Sequence, residues 1–217
     1  MVKVKSLVKE KYLFLFVIGS VVGAIYEDLL EGFRNLGATG IFSFNVHRGV
    51  IYGPFNIIYG AGAVLMVYLL SHTDQSWYKI FLKGSIIGGS FEYLVSLLQE
   101  VFVGTTSWDY SNLPLNINGR TTLPIMFFWG LACVGLMKFI YPKVSLLVER
   151  MQPDLRKVLY VGFVVFLSLD MFISWTALIR QDFRRRGCPP KTFVGQLYDK
   201  YYTDDFLKKY YANMVEK

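Results

Sequence analysis

The chain has 217 residues, of which 53% are hydrophobic and only 18% charged, with a mean hydropathy of +0.37. A soluble domain of this size usually carries about 25% charged residues, so a disordered chain is excluded and an ordinary cytosolic globule is disfavoured. The net charge of +7 does not point to nucleic acid, because the basic residues fall between apolar runs instead of forming a stripe interleaved with aromatics.

Crossing the roughly 30 Å hydrocarbon core takes about 20 mostly apolar residues. Five stretches come close, at about 12–30, 50–70, 80–103, 123–141 and 158–179. The expected fold is all-α: a polytopic transmembrane helical bundle of about five spans over residues 1–179, then a short polar C-terminal tail, 180–217. Such a chain sits in the cell membrane as a multi-pass protein, and its 17% aromatic content suits two interfaces to anchor.

The first span follows Lys3, Lys5, Lys9 and Lys11 and imitates a secretory signal, but four further apolar runs make a retained helix the better reading. Loops on the N-terminal side hold most of the lysines and arginines, which places the N-terminus in the cytoplasm by the positive-inside rule. Arg180, Arg184, Arg185 and Arg186 after the last span argue the other way.

An ionised side chain in hydrocarbon costs at least about 2.5 kcal/mol, so each polar residue in a span must face protein, water or a ligand. In the first span Gly19, Gly23 and Glu27 share one face, where the glycines admit a neighbouring backbone and Glu27 lies in the seam. In the second, Gly49, Gly53, Asn56 and Gly60 form a similar row, with His47 and Arg48 at its mouth. Pro54 removes a backbone donor there, so 48–59 is expected to be partly unwound, which membrane proteins tolerate where a cavity is lined.

The third span is the most polar, with Ser85, Gly88, Gly89, Glu92, Ser96, Gln99 and Glu100 on one side of a helix. Between the third and fourth spans, 104–120 spends Trp108, Asp109, Tyr110, Asn118 and Arg120 in a short loop, and Asn118-Gly119 supplies a turn with positive φ that would aim Arg120 back at the helix ends. The link 142–157 places Val144, Leu147, Val148 and Met151 at helical spacing, as a surface helix would. It reads either as a solvated connector or as a docking helix. In the fifth span Asp170, with Ser174 one turn on, is either structurally hydrogen-bonded or functional.

With five spans, Glu27, Arg48, Glu92, Glu100, Asp109 and Arg120 converge at one leaflet, and Trp108 and Asn118 join them as candidate substrate-binding residues. The convergence is either a charge-satisfied staple of the bundle or a polar cavity in the membrane. No catalytic residue can be named from it. Metal and cofactor chemistry have little to work on: there are two cysteines, Cys133 and Cys188, and two isolated histidines, His47 and His72. No nucleotide-binding G-x-x-x-x-G-K-[ST] motif occurs either.

The run from Arg48 to Gly62, with Glu92-Tyr93, Trp108-Asp109-Tyr110-Ser111, Asn116-Ile117-Asn118-Gly119-Arg120 and Trp129-Gly130, resembles the bacterial putative ABC-transporter type IV permease family (CmpB-like) over about residues 19–142. The resemblance implies transport powered by a separate ATPase subunit, which the 142–157 link could receive, and two copies or halves forming the pathway, hence a homodimer. Nucleic acid is not a partner; membrane lipid is.

Three functions compete for the polar cavity. In transport it binds a small polar solute, with Glu27 and Glu92 taking a cationic or hydroxylated group and Arg48 and Arg120 an anionic one. In a lipid-active enzyme the arginines clamp a phosphate headgroup and a desolvated glutamate serves as base. In a membrane scaffold or assembly subunit the seam is only a staple.

Overall fold

In a computed structural model the chain is described over residues 8–46, 48–71, 76–211 and, for its backbone, 215–216. Lys3, Lys5, His47 and His72 therefore lie outside the described residues. The helices follow the apolar runs and generally overrun them. α1 is Val8–Thr39, α2 Ile57–Leu70, α3 Trp77–Val103 and α4 Leu123–Gly135. A π-helical stretch, Leu136–Ile140, carries α4 without a break into α5, Tyr141–Arg150, and α6 is Pro153–Arg185. Four helical units, Val8–Thr39, Trp77–Val103, Leu123–Arg150 and Pro153–Arg185, are long and apolar enough to cross a membrane.

The expected second span, 50–70, is helical only from Ile57. At 14 residues α2 is about 21 Å long, short of the roughly 30 Å core, so a count of five full helical spans does not hold. The cause is local. Gly53 takes φ +77°, Pro54 brings no N–H, and the backbone finds its partners elsewhere. Gly49 N–H donates to Phe55 O at 3.0 Å and Asn56 N–H to Ser20 O at 2.9 Å. Ile51 N–H reaches Ser174 Oγ at 2.9 Å and Tyr52 N–H reaches Asp170 Oδ1 at 3.1 Å. The expected unwinding around Pro54 is thus a non-helical 49–56 segment, with Val50 and Ile51 nearly inaccessible and Tyr52 exposed.

Small residues let the helices approach in pairs, α1 on α2 and α3 on α4. A Cβ on Gly60 would stand 2.2 Å from Ser20 Oγ and 2.4 Å from the Phe16 carbonyl oxygen, and one on Gly88 would stand 2.5 Å from Trp129 Cβ. At the N-terminal end of α1 a core of Phe14, Leu15, Met66, Leu70, Ile80 and Met137 closes the bundle. Val144 and Val148 of α5 belong to the same core, and Lys11 pairs with Glu149. The 142–157 link is therefore not a separate surface helix: its first half continues the fourth helix and packs on α1.

After Gly187, at φ +72°, the tail forms α7, Phe193–Tyr201, and α8, Asp204–Tyr210. Thr192 and Thr203 cap them, accepting from Gly195 N–H and Phe206 N–H. Arg180 grips Asp199 through both carboxylate oxygens at 2.8 and 2.7 Å, and Arg184 bridges Asp199 and Asp204. The Arg180 guanidinium, joined by Arg184, pulls the Asp199 carboxyl down to about 2. Leu207 and Tyr211 are buried against Ile51, Ala177 and Leu178. Strand β1, Thr105–Thr106, pairs antiparallel with β4, Val215–Glu216, so the tail shares an end of the bundle with the loop after α3.

Candidate functional site

At that end the loop 104–122 is tied down residue by residue. Strands β2, Asn116–Ile117, and β3, Thr121–Thr122, form a hairpin with Ile117 opposite Thr121. Its turn places Asn118 at φ 52° and Gly119 at φ 68°, and Arg120 N–H closes it onto Ile117 O at 3.0 Å. This is the primed geometry an Asn-Gly pair selects. The turn delivers Arg120 to the face of α3: Nη2 donates to Glu100 Oε2 at 2.7 Å and Nη1 to Ser96 Oγ at 3.2 Å. The guanidinium stands 5.8 Å from the Tyr93 ring centre, within cation–π range. Trp108 Nε1 holds the Arg120 carbonyl at 2.8 Å, and Asn118 Nδ2 donates to the Tyr93 hydroxyl at 2.9 Å. Ser96, Glu100, Trp108, Asn118, Gly119 and Arg120 enclose a pocket of about 230 Å³.

Deeper on the same face of α3, Glu92 is 7% exposed and both its oxygens are occupied. Tyr110 OH donates to Oε1 at 3.1 Å and Thr121 Oγ1 to Oε2 at 2.7 Å. Burial, with the Glu92 carboxylate beside it, raises the Tyr110 phenol well above its ordinary range, so it remains a donor at any physiological pH. Glu27 has its own hydroxyl, Tyr59 OH at 2.6 Å. The Tyr59 ring lies between Tyr26 and Trp129, its centroid 6.2 and 6.3 Å from theirs. Glu92 is thus buried with a tyrosine and a threonine hydroxyl on its oxygens, while Glu27, half-buried on α1, is held separately by Tyr59.

The eight residues named from the sequence separate into three groups. Glu100, Trp108, Asn118 and Arg120 line one pocket, while Glu27 and Glu92 lie outside its lining and are each held by a tyrosine hydroxyl. Arg48 and Asp109 serve backbone: Arg48 Nη1 donates to Gly53 O at 2.7 Å, pinning the non-helical segment, and Asp109 Oδ1 accepts from Ser111 N and Oγ at 2.8 and 2.6 Å. Tyr59 and Tyr93 fell within the motifs that carry the resemblance but were not named as site residues, and Thr121 was not singled out. The signal for two of them was position, Tyr93 next to Glu92 and Thr121 next to the helix cap Thr122. Among the described residues no group of three or more His, Cys, Asp or Glu side chains is placed to hold a metal ion.

Long apolar helices paired through glycines, a broken second helix and a polar pocket under a structured loop define a helical protein of membrane type. Residues 14–175, most of the chain, match the family described as "Putative ABC-transporter type IV". The chain belongs to that family, and the match runs beyond the quoted motifs at both ends, taking in most of α6. No curated protein matches the chain, and no solved structure does.

Proposed function

We propose that the chain is a multi-pass membrane subunit of an ABC-type transport system, and that the pocket under the 104–122 loop binds a small zwitterionic solute. The observation that carries this reading is the Arg120–Glu100 pair on the pocket wall, its members 2.7 Å apart with Glu100 37% exposed at its side chain. A solute carboxylate matches the Arg120 fork, an ammonium group matches Glu100, and the Asn118 amide and Ser96 hydroxyl complete a polar lining. At about 230 Å³ the pocket suits a solute smaller than the drug-sized ligands of larger clefts. Family membership supports the transport class.

Energy comes from a separate ATPase subunit. The exposed flank of α5, with Lys143, Leu146, Leu147 and Arg150, lies at the end of the bundle opposite the pocket and supports docking there. A second copy of the chain supplies the other half of the pathway.

Native mass spectrometry of protein extracted in mild detergent from its own membrane tests this, with wild type compared against Arg120→Ala. An ATPase subunit retained by both, with a low-mass polar solute held by wild type and lost from the variant, is the expected result. A phospholipid or lipid-linked species lost from the variant, with no protein partner in either sample, would overturn the transport reading and make the pocket a headgroup site.

A further inference from the structure

α7 presents three sectors. Gly195, Tyr198 and Asp199 are partly covered where the helix meets α6, with Tyr198 OH 2.6 Å from Thr176 Oγ1 and Asp199 held by Arg180 and Arg184. Gln196 and Lys200 form an exposed polar edge. The remaining arc, about 100° wide by the 3.6-residue turn, is apolar: Phe193 is 73% exposed, Val194 58%, Leu197 37% and Tyr201 59%. Nine residues with four large apolar side chains on one unpartnered face, next to polar and packed faces, make an amphipathic helix whose apolar side needs a cover.

The neighbouring surface identifies the cover. α6 carries an exposed apolar stripe, Val158, Val161, Val165, Leu169, Phe172, Trp175 and Ile179, that ends at Phe183. A groove of about 200 Å³ lined by Ile179, Phe183, Val194 and Tyr198, with Thr176 and Arg180 also on its wall, joins the end of that stripe to α7. Whatever solvates the stripe of α6 therefore also solvates α7. One edge of α7, and a residue just ahead of it, are cationic. Lys191 stands just before it, and Lys200 lies within it, its ammonium 5.2 Å from the Tyr201 ring centre. A cation held beside an exposed aromatic ring suits side chains that snorkel at a lipid–water boundary. The acid of this helix, Asp199, is turned inward and neutralised by Arg180 and Arg184, so it does not oppose an anionic surface.

We propose that α7 lies in the membrane interface, with Phe193, Val194, Leu197 and Tyr201 among the acyl chains and Lys191 and Lys200 at the headgroups of anionic phospholipid. The proposal rests on α6 crossing the membrane and is independent of what the pocket binds. The tail is then a leaflet anchor. Through Tyr202, whose hydroxyl is 2.9 Å from that of Tyr52, and through Leu207 and Tyr211 packed with Ile51, the leaflet is mechanically joined to the non-helical 49–56 segment.

The test uses the full chain with Cys188→Ser, the buried Cys133 left in place. Single cysteines at Val194, Leu197, Gln196 and Lys200, and at Phe172 as an α6 control, carry nitroxide labels. The protein is reconstituted in vesicles of phosphatidylcholine with phosphatidylglycerol. Collision with oxygen, which partitions into acyl chains, is compared with collision with a water-soluble nickel chelate. The expected result is oxygen-favoured labels at 172, 194 and 197 and chelate-favoured labels at 196 and 200. Without phosphatidylglycerol the oxygen preference at 194 should fall about twofold. A lipid reading at 172 with aqueous readings at 194 and 197 overturns the anchor, and labels there shielded from both reagents overturn it in favour of a protein cover. An unchanged 194 reading without phosphatidylglycerol removes the anionic headgroups. An aqueous reading at 172 instead overturns the membrane placement of α6.

Discussion

The carboxylate of Asp170, in the middle of α6, accepts the backbone N–H of Tyr52 at 3.1 Å, a donor that belongs to no helix and no sheet. Ser174, one turn further along, does the same for Ile51 and donates to Asp170 Oδ1 at 3.2 Å. Two side chains of one helix therefore stand in for the hydrogen-bond partners that a continuous second helix would have supplied. Their role in the fold is to make a break in that helix tolerable away from water.

Removing this support should be costly. Asp170→Ala strands the Tyr52 N–H in a site where Asp170 is 2% exposed, and an unsatisfied buried donor costs about 1–3 kcal/mol. Ser174→Ala strands the Ile51 N–H and should cost about as much. The two residues share one network, so the double variant should lose less than the sum of the singles. The midpoint of thermal unfolding in detergent, measured for the four proteins, checks this; strict additivity would show that the pair does not act as a unit.

Glycine substitutions separate close packing from mere flexibility. An added Cβ at Gly60 meets the Phe16 carbonyl oxygen at 2.4 Å, a backbone atom that cannot rotate away, so Gly60→Ala should push α1 from α2 and cost about 1–3 kcal/mol. Gly162 in α6 has nothing within 4 Å of its would-be Cβ. There alanine should be neutral or stabilising, by up to about 1 kcal/mol of helix propensity. Thermal midpoints that fell equally for both would show that the contact at Gly60 is not what matters.

Hydropathy made α3, α4 and α6 legible to within a few residues at most ends, because about 20 apolar residues in a row admit few other structures. It overran in the second span for a reason also visible in the chain: the apolar side chains of Val50, Ile51 and Phe55 are buried whether or not the backbone is helical, and hydropathy does not read backbone. Gly53 and Pro54 gave the warning. The 142–157 link, expected as a surface helix of its own, instead begins at Pro142 without a break from the fourth helix. The missing N–H falls just after the π-helical stretch Leu136–Ile140, where the hydrogen-bond pattern already shifts, so the helix continues into α5. In the site, the Asn118-Gly119 turn and the polar face of α3 were readable from local rules. The division of the acids between the pocket and tyrosine or threonine partners was not, because it depends on which hydroxyls of α2 and of the loop reach them.

The pocket pair invites a charge test. Glu100→Gln keeps the shape and an acceptor for Arg120 Nη2 while removing the charge that an ammonium group would meet. Affinity for a zwitterionic solute should fall about 10- to 100-fold, the worth of one charged hydrogen bond, whereas stability should change by less than about 1 kcal/mol, because the altered Glu100 side chain is 37% exposed and Gln keeps the hydrogen bond. Arg120→Lys keeps the charge and loses the fork, so it should weaken the carboxylate side of the same solute. Equilibrium binding and thermal unfolding on the same samples check both. Loss of stability in step with loss of binding would make the pair a staple of the loop and not part of a binding site.

The tail should come loose in acid at a place set by Asp199. Its folded pKa is depressed to about 2, by Arg180 first and then Arg184, below the roughly 3.9 of an unpaired aspartate. A depressed carboxylate contributes stability above its unfolded pKa and loses that contribution as pH falls through its folded one. Wild type and Asp199→Asn should therefore differ in tail protection by a constant amount above about pH 4 and converge between about pH 4 and 2. Hydrogen exchange of the amides of α7, read after brief incubation at each pH, measures that difference. If the two proteins differ as much at pH 2 as at pH 6, the arginine clamp does not hold the tail, and the packing of Leu207 and Tyr211 on Ile51 would have to do so without it.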